Sequence, residues 1–287
     1  MTAAFPAGLQ AMLAYDFMRN AFLAGGCIAL ASGLVGYFVL LRNQVFAADA
    51  LGHVAFTGGL GGLLLGLNLL LGLFGSCIAA ALLMGWLGGR SRGADVAVGS
   101  VFAWVLGVGV LFLSLYTSAA NNSVTGIAIL FGSILSLQSG QTLIAAVVGL
   151  GACAVLLLVA RPLLFVSLDP DVAVARGVPV GLVVATFLVL VAVTVAEAVQ
   201  AVGALLVFGL MVTPPAIAQR LTSRPYLGLG LSALIALAAV WTGLALAFWF
   251  PYPASFLIVA LVFAGWLATR LLPAPRRSRR SGSKLPV

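Results

Sequence analysis

The sequence predicts an all-α fold: a polytopic transmembrane helical bundle of eight or nine spans, with short re-entrant or interfacial helices. Three observations predict it. Of the 287 residues, 63% are hydrophobic and only 7% are charged, with a mean hydropathy of +1.23. Soluble domains carry about 25% charged residues. The apolar residues form long unbroken runs, which excludes the alternating pattern of a membrane β-barrel. Arginines punctuate the runs and rarely interrupt them. An ordinary soluble enzyme and a disordered chain are both excluded.

A span needs roughly 20 apolar residues. Residues 21–41 form the first, closed by Arg42 and Asn43. Residues 54–71 form the second, with a possible start near Ala47, and 73–87 the third, ending at Gly88-Gly89-Arg90-Ser91-Arg92. Residues 96–116 form the fourth, followed by a polar stretch at 117–125. Residues 127–137 are apolar but about half a span long, so they read as re-entrant or interfacial. Residues 143–160 span and end at Arg161-Pro162, ahead of the polar segment 167–179. Residues 180–196 span. Residues 202–212 are short and end at Pro214-Pro215. Residues 227–248 and 255–272 are the last two spans, joined by Pro251-Tyr252-Pro253. Residues 1–272 therefore read as one membrane domain. Residues 273–287 read as a basic cytoplasmic tail without fixed structure.

The net charge is +8, and Arg276, Arg277, Arg279, Arg280 and Lys284 lie in that tail. After an apolar helix, such a run marks the cytoplasmic side of a cell membrane rather than a nucleic-acid site. Arg90, Arg92, Arg161, Arg176, Arg220 and Arg224 belong to the same side if residues 202–212 cross. The uncharged loop 117–125 belongs outside. Asp16 and Arg19 offset each other, so the N-terminal side is open. The start lacks a basic n-region, so the first span is expected to act as an uncleaved insertion signal.

Cys27, Cys77 and Cys153 lie inside apolar runs without a Cys-x-x-Cys pair and read as packing residues. Gly58, Gly62 and Gly66 recur at four-residue spacing, a small-residue stripe that lets helices approach.

Ionisable groups inside a bilayer are expensive, and only six acids exist. Asp49 and His53 are four residues apart and share a face if helical. His53 is the single histidine of the chain. A carboxylate and an imidazole suit Zn²⁺, Mn²⁺ or Fe²⁺. The alternative is a carboxylate orienting a helix-end histidine. Two side chains do not complete a coordination shell, so other groups, water or a second subunit must contribute. Glu197 has Gln200 three residues on; the pair could line a pathway, or Glu197 could sit at a helix end in the interface. Asp95, Asp169 and Asp171 read as helix caps.

No phosphate-binding loop exists, since Lys284 is the sole lysine. There is no His-Glu-x-x-His and no Gly-x-Ser-x-Gly. The chain is not expected to be an enzyme.

Six stretches, in order, resemble one family. They are Phe17-Met18-Arg19-Asn20-Ala21-Phe22 with Gly36-Tyr37-Phe38-Val39-Leu40-Leu41-Arg42; Ala48-Asp49-Ala50-Leu51-Gly52-His53-Val54-Ala55-Phe56-Thr57-Gly58; and Asp95-Val96-Ala97-Val98-Gly99. Then come Ile129-Leu130-Phe131-Gly132-Ser133-Ile134-Leu135; Leu168-Asp169-Pro170-Asp171-Val172-Ala173 to Arg176-Gly177-Val178; and Val202-Gly203-Ala204-Leu205-Leu206-Val207 to Thr213-Pro214-Pro215-Ala216. Together they resemble the permease subunits of ATP-binding-cassette importers for zinc, manganese and iron, from about Phe17 to about Arg270. The family usually has a serine where this chain has Gly52.

The resemblance implies a homodimeric permease in the lipid membrane, with a cytoplasmic ATPase subunit that binds ATP. It also implies an external metal-binding protein that delivers the ion, and no nucleic-acid partner. The transported ion would be divalent zinc, manganese or iron, with no covalently bound cofactor. Asp49 and His53 match positions expected to contact metal. Residues 213–226 resemble the element that couples to the ATPase, carried by Pro214, Pro215, Ala216, Gln219 and Arg220. The prolines are expected to stop a membrane helix, and 216–221 to form a separate short helix. Two rivals stay open: a secondary transporter coupled through Asp49 and Glu197, and a permease for a metal chelate. A non-transporting scaffold leaves the acid–histidine pair unexplained.

Overall fold

The computed structural model describes residue 12 and residues 14–88, 94–120, 132 and 134–271. All regular elements among the described residues are helical. They are α1 (Asp16–Leu41), α2 (Val45–Leu64), α3 (Leu69–Gly88), α4 (Ala94–Ala120), a 3-10 turn (Ile134–Ser136), α5 (Ser139–Leu168), α6 (Pro170–Ala175), α7 (Val180–Val202), α8 (Ala204–Leu221), α9 (Pro225–Trp249) and α10 (Ala254–Leu271). Helices satisfy every interior backbone group within one segment, which is what a lipid solvent demands. Seven are long and apolar enough to cross a membrane: α1, α3, α4, α5, α7, α9 and α10. α2 and α8, of 20 and 18 residues, pack among them. The polytopic helical bundle expected from the sequence is the observed fold.

α1 and α7 are the most buried long helices. α1 touches α5, α7, α8 and α9. Large apolar side chains such as Trp104, Val147 and Leu158 point outward, as a lipid-facing surface requires. α2 and α3 form an antiparallel pair. Ser76 Oγ donates to the Val54 carbonyl at 3.3 Å, and Gly58 and Gly62 meet Gly72 without side chains between them. This pairing depends on small residues.

Several expected boundaries move. The chain turns at 65–68, not at Gly72. Gly66 takes a left-handed φ of +69°, outside α2, and the Leu70 N–H bonds Asn68 Oδ1 at 3.0 Å. Turn chemistry set this break, whereas hydropathy stays high on both sides. α5 does not end at Arg161-Pro162 but continues to Leu168 with Pro162 inside it. α7 continues past Ala196 to Val202. Pro214 and Pro215 do not stop a helix: α8 runs through both to Leu221, and 216–221 is its last part, not a separate helix.

That continuity has a local cause. Pro215 has no N–H, so the Met211 carbonyl loses its partner four residues on. Gly36 of α1 lies against that carbonyl, so closely that a Cβ there would overlap it. The glycine gives the freed carbonyl a tight Cα–H contact in place of a void.

Asp169 caps α6, accepting from the Val172 N–H at 3.0 Å, as read from sequence. Asp171 lies in the first turn of the same helix. One end of the bundle gathers arginines. There Arg42 Nη1 donates to Ser167 Oγ at 3.3 Å, and Arg220 Nη2 to the Arg270 carbonyl at 3.3 Å. The ends of α1, α5, α8 and α10 therefore meet at this arginine end. Arg90, Arg92, 121–125, 127–131, 133 and the tail 273–287 lie outside the described residues, as does the Asp95 side chain.

Candidate functional site

α2 starts at Val45, just past the arginine-end corner of 42–44. At 1.5 Å per residue, Asp49 lies about 6 Å and His53 about 12 Å along its axis. Their four-residue spacing falls within one continuous helix, so both project to one side. The intervening Ala50 and Leu51 are buried, while Asp49 and His53 are half-buried. The pair therefore lies on a partly accessible face of α2.

The His53 ring lies 5.3 Å from the Phe102 ring of α4, tilted by 58°. Phe46 packs on the same Phe102 at 5.9 Å. Phe102 thus fixes the side of α2 that His53 faces. Sequence spacing held no signal for this contact, because it joins two helices far apart in the chain. Among the described residues, no group of three or more His, Cys, Asp or Glu side chains comes together. Asp49 and His53 therefore have no third ligand of these types grouped with them among the described residues.

Beyond His53 the same face borders a recess of about 600 Å³ between α2, α3 and α4. Thr57, Ser76 and Ser100 line it. Each of these hydroxyls is engaged with a backbone carbonyl: Thr57 with Val105, Ser76 with Val54 and Leu73, Ser100 with Val96. The hydroxyl protons are thus engaged, and the remaining walls are largely apolar.

Glu197 stands apart from this pair. It lies on α7, is 2% exposed, and its Oε2 has no hydrogen-bond partner. The alternative of an interfacial glutamate at a helix end is corrected: α7 continues for more than a turn, and the side chain is buried. Gln200 lies on the same helix with an unpartnered Oε1. Thr194, missed in the sequence, adds a third buried oxygen without a partner. Its spacing three residues before Glu197 was the available signal.

The coupling candidates form the arginine end of α8. Pro214 and Pro215 are buried and Ala216 half-buried. Gln219 Nε2 donates to the Tyr37 carbonyl at 3.4 Å, tying α8 to α1, and Arg220 ties it to α10. Beyond it Leu221, Tyr226 and Leu227 are exposed around the corner to α9. At its other end α8 begins after Gly203, whose φ of +88° makes the reversal from α7. There the Ala204 carbonyl lies 3.6 Å from where a Gly52 Cβ would sit. That is ordinary contact distance, so a Cβ fits this position. α8 thus runs unbroken from the exposed arginine-end corner to the residue preceding His53.

Arg42 anchors the same end. Its guanidinium lies 5.6 Å from the Phe187 ring centre, its Nε is buried without a partner, and burial lowers its pKa below the ordinary arginine value.

Residues 14–271 match the ABC 3 transport family. The chain belongs to that family. Among its relatives is the manganese transport system membrane protein MntC of Halalkalibacterium halodurans, 27% identical over 81% of this chain and 79% of the relative. The manganese import system permease protein ScaB of Streptococcus parasanguinis is 30% identical over 86% and 87%. Among solved structures, PsaBC from Streptococcus pneumoniae in complex with Fab matches with a TM-score of 0.82. It is 28% identical, covering 96% of this chain and 97% of that one. The family fits what the helices show: a multi-pass membrane protein with few charges, with Asp49 and His53 on one face of α2.

Proposed function

We propose that this chain is the permease subunit of an importer that carries a divalent transition-metal ion, manganese foremost and zinc or iron as alternatives. The observation that carries the reading is the Asp49–His53 pair, set in a helical bundle of a family whose named relatives include manganese permeases. Oxygen from Asp49 and nitrogen from His53 suit Mn²⁺, Fe²⁺ and Zn²⁺ alike. Because no third His, Cys, Asp or Glu joins them among the described residues, a second copy would supply the matching pair across a homodimer, with water completing the shell.

The arginine end faces the cytoplasm by the positive-inside rule. A separate ATPase binds there, against the exposed corner after Leu221. An external binding protein delivers the ion at the opposite end. ATP binding closes the ATPases and shifts the α8 corner. α8 is one rod, so the shift reaches Ala204 and Gly52 beside His53. The ion is exposed alternately to the two sides, and the few ligands release it readily.

Purification of the tagged chain in mild detergent, with mass spectrometry of its companions, tests this reading. An ATP-binding-cassette ATPase is expected near one-to-one with the chain. A folded chain that repeatedly arrives alone would contradict it and favour a secondary transporter.

A further inference from the structure

The C-terminal part of α7 carries a polar stripe that Asp49 and His53 do not explain. Thr194, Glu197 and Gln200 recur at three-residue intervals and share a slanting face. Thr194 and Glu197 are each 2% exposed. Thr194 Oγ1, Glu197 Oε2 and Gln200 Oε1 are all buried without a hydrogen-bond partner. The Glu197 carboxylate interacts electrostatically with Cys27 of α1. Cys27 in turn backs on Gly149 of α5, where a Cβ would lie 3.1 Å from the Cys27 carbonyl oxygen. The stripe therefore lies at the junction of α1, α5 and α7.

The Ala204 carbonyl, seven residues past Glu197, lies beside Gly52, so α7 brings the stripe toward the level of the Asp49–His53 pair. No salt bridge involves Glu197 among the described residues. Buried polar oxygens in native proteins are satisfied by protein, ordered water or an ion. Here three of them follow one another along α7 with no protein partner. A carboxylate, an amide carbonyl and a hydroxyl form an all-oxygen donor set, the kind that hard divalent cations take.

We infer that Thr194, Glu197 and Gln200 form a second cation subsite on α7, which takes a partly hydrated hard divalent ion beside the route through Asp49–His53. The inference rests on the transport reading above and adds a waypoint to it. One carboxylate and neutral oxygens bind weakly, as a transit site must. The all-oxygen set narrows the advantage that Zn²⁺ holds over Mn²⁺ at a site with nitrogen.

The test uses the complete permease–ATPase complex. Manganese and zinc uptake are measured in proteoliposomes with the delivery protein, and bound Mn²⁺ by electron paramagnetic resonance on the purified complex. The variants are Glu197→Gln and Glu197→Asp, each alone and with Asp49→Asn. Glu197→Gln should cut manganese uptake at least tenfold and zinc uptake less. Glu197→Asp should restore part of it. In the Asp49→Asn background, Glu197→Gln should remove the residual bound Mn²⁺. Unchanged manganese uptake and binding in Glu197→Gln would overturn the subsite and leave Asp49–His53 standing. Lost uptake with unchanged residual Mn²⁺ binding would assign Glu197 to packing and overturn it too. A wild-type complex that moves no divalent metal would overturn the transport reading and the subsite together. If Glu197→Gln does not assemble, Thr194→Val and Gln200→Ala, which keep the carboxylate, carry the same readouts.

Discussion

Asp49→Ala in the assembled complex should lower metal uptake by more than about a hundredfold, the upper end of what changes outside the ligand shell cost. Asp49 is one of only two side chains of ligand type that the chain brings together on α2, so its loss removes half of that set. The same variant should leave the helix and its partners intact. Asp49 is half-buried, it caps no helix, and Ala50 and Leu51 carry the packing beside it. Uptake of the metal and co-purification of the ATPase should therefore separate. Normal uptake by a well-expressed Asp49→Ala complex would remove the pair from the pathway.

Gly36→Ala should destabilise the fold more than any other single methyl addition to α1. The added Cβ would overlap the Met211 carbonyl, which is backbone and has no rotamer by which to withdraw. Overpacking of this kind costs about 1–3 kcal/mol. The cost falls on the contact between α1 and α8, so uptake should drop with the thermal midpoint. Gly230→Ala on α9 is the control, since nothing lies within 4 Å of its added Cβ. It should be neutral or gain about 0.5–1 kcal/mol from helix propensity. Equal melting temperatures for the two variants would mean that the α1–α8 approach is not close.

What the sequence reveals and conceals follows from which forces are local. Asp49 and His53 were legible because a four-residue spacing needs only a helix. Phe102 was not, since its contact with His53 joins α2 to α4. Hydropathy ended α7 at Ala196 because Glu197 is charged in isolation. The helix continues because backbone bonding does not depend on that side chain, and its neighbours bury it. Pro214-Pro215 read as a stop because each lacks an N–H and its ring crowds the carbonyl four residues back. Inside this bundle Gly36 receives the Met211 carbonyl, and α8 stays whole. The difference bears on mechanism. A separate coupling helix would need a joint, whereas an unbroken α8 carries displacement from its corner directly to Ala204.

The account stands most directly on the energy source of transport. Proteoliposomes carrying the complex should accumulate manganese only when ATP is supplied on the side of the ATPase, with no ion gradient imposed. Accumulation without ATP, driven by a proton or sodium gradient and carried by this chain alone, would contradict it.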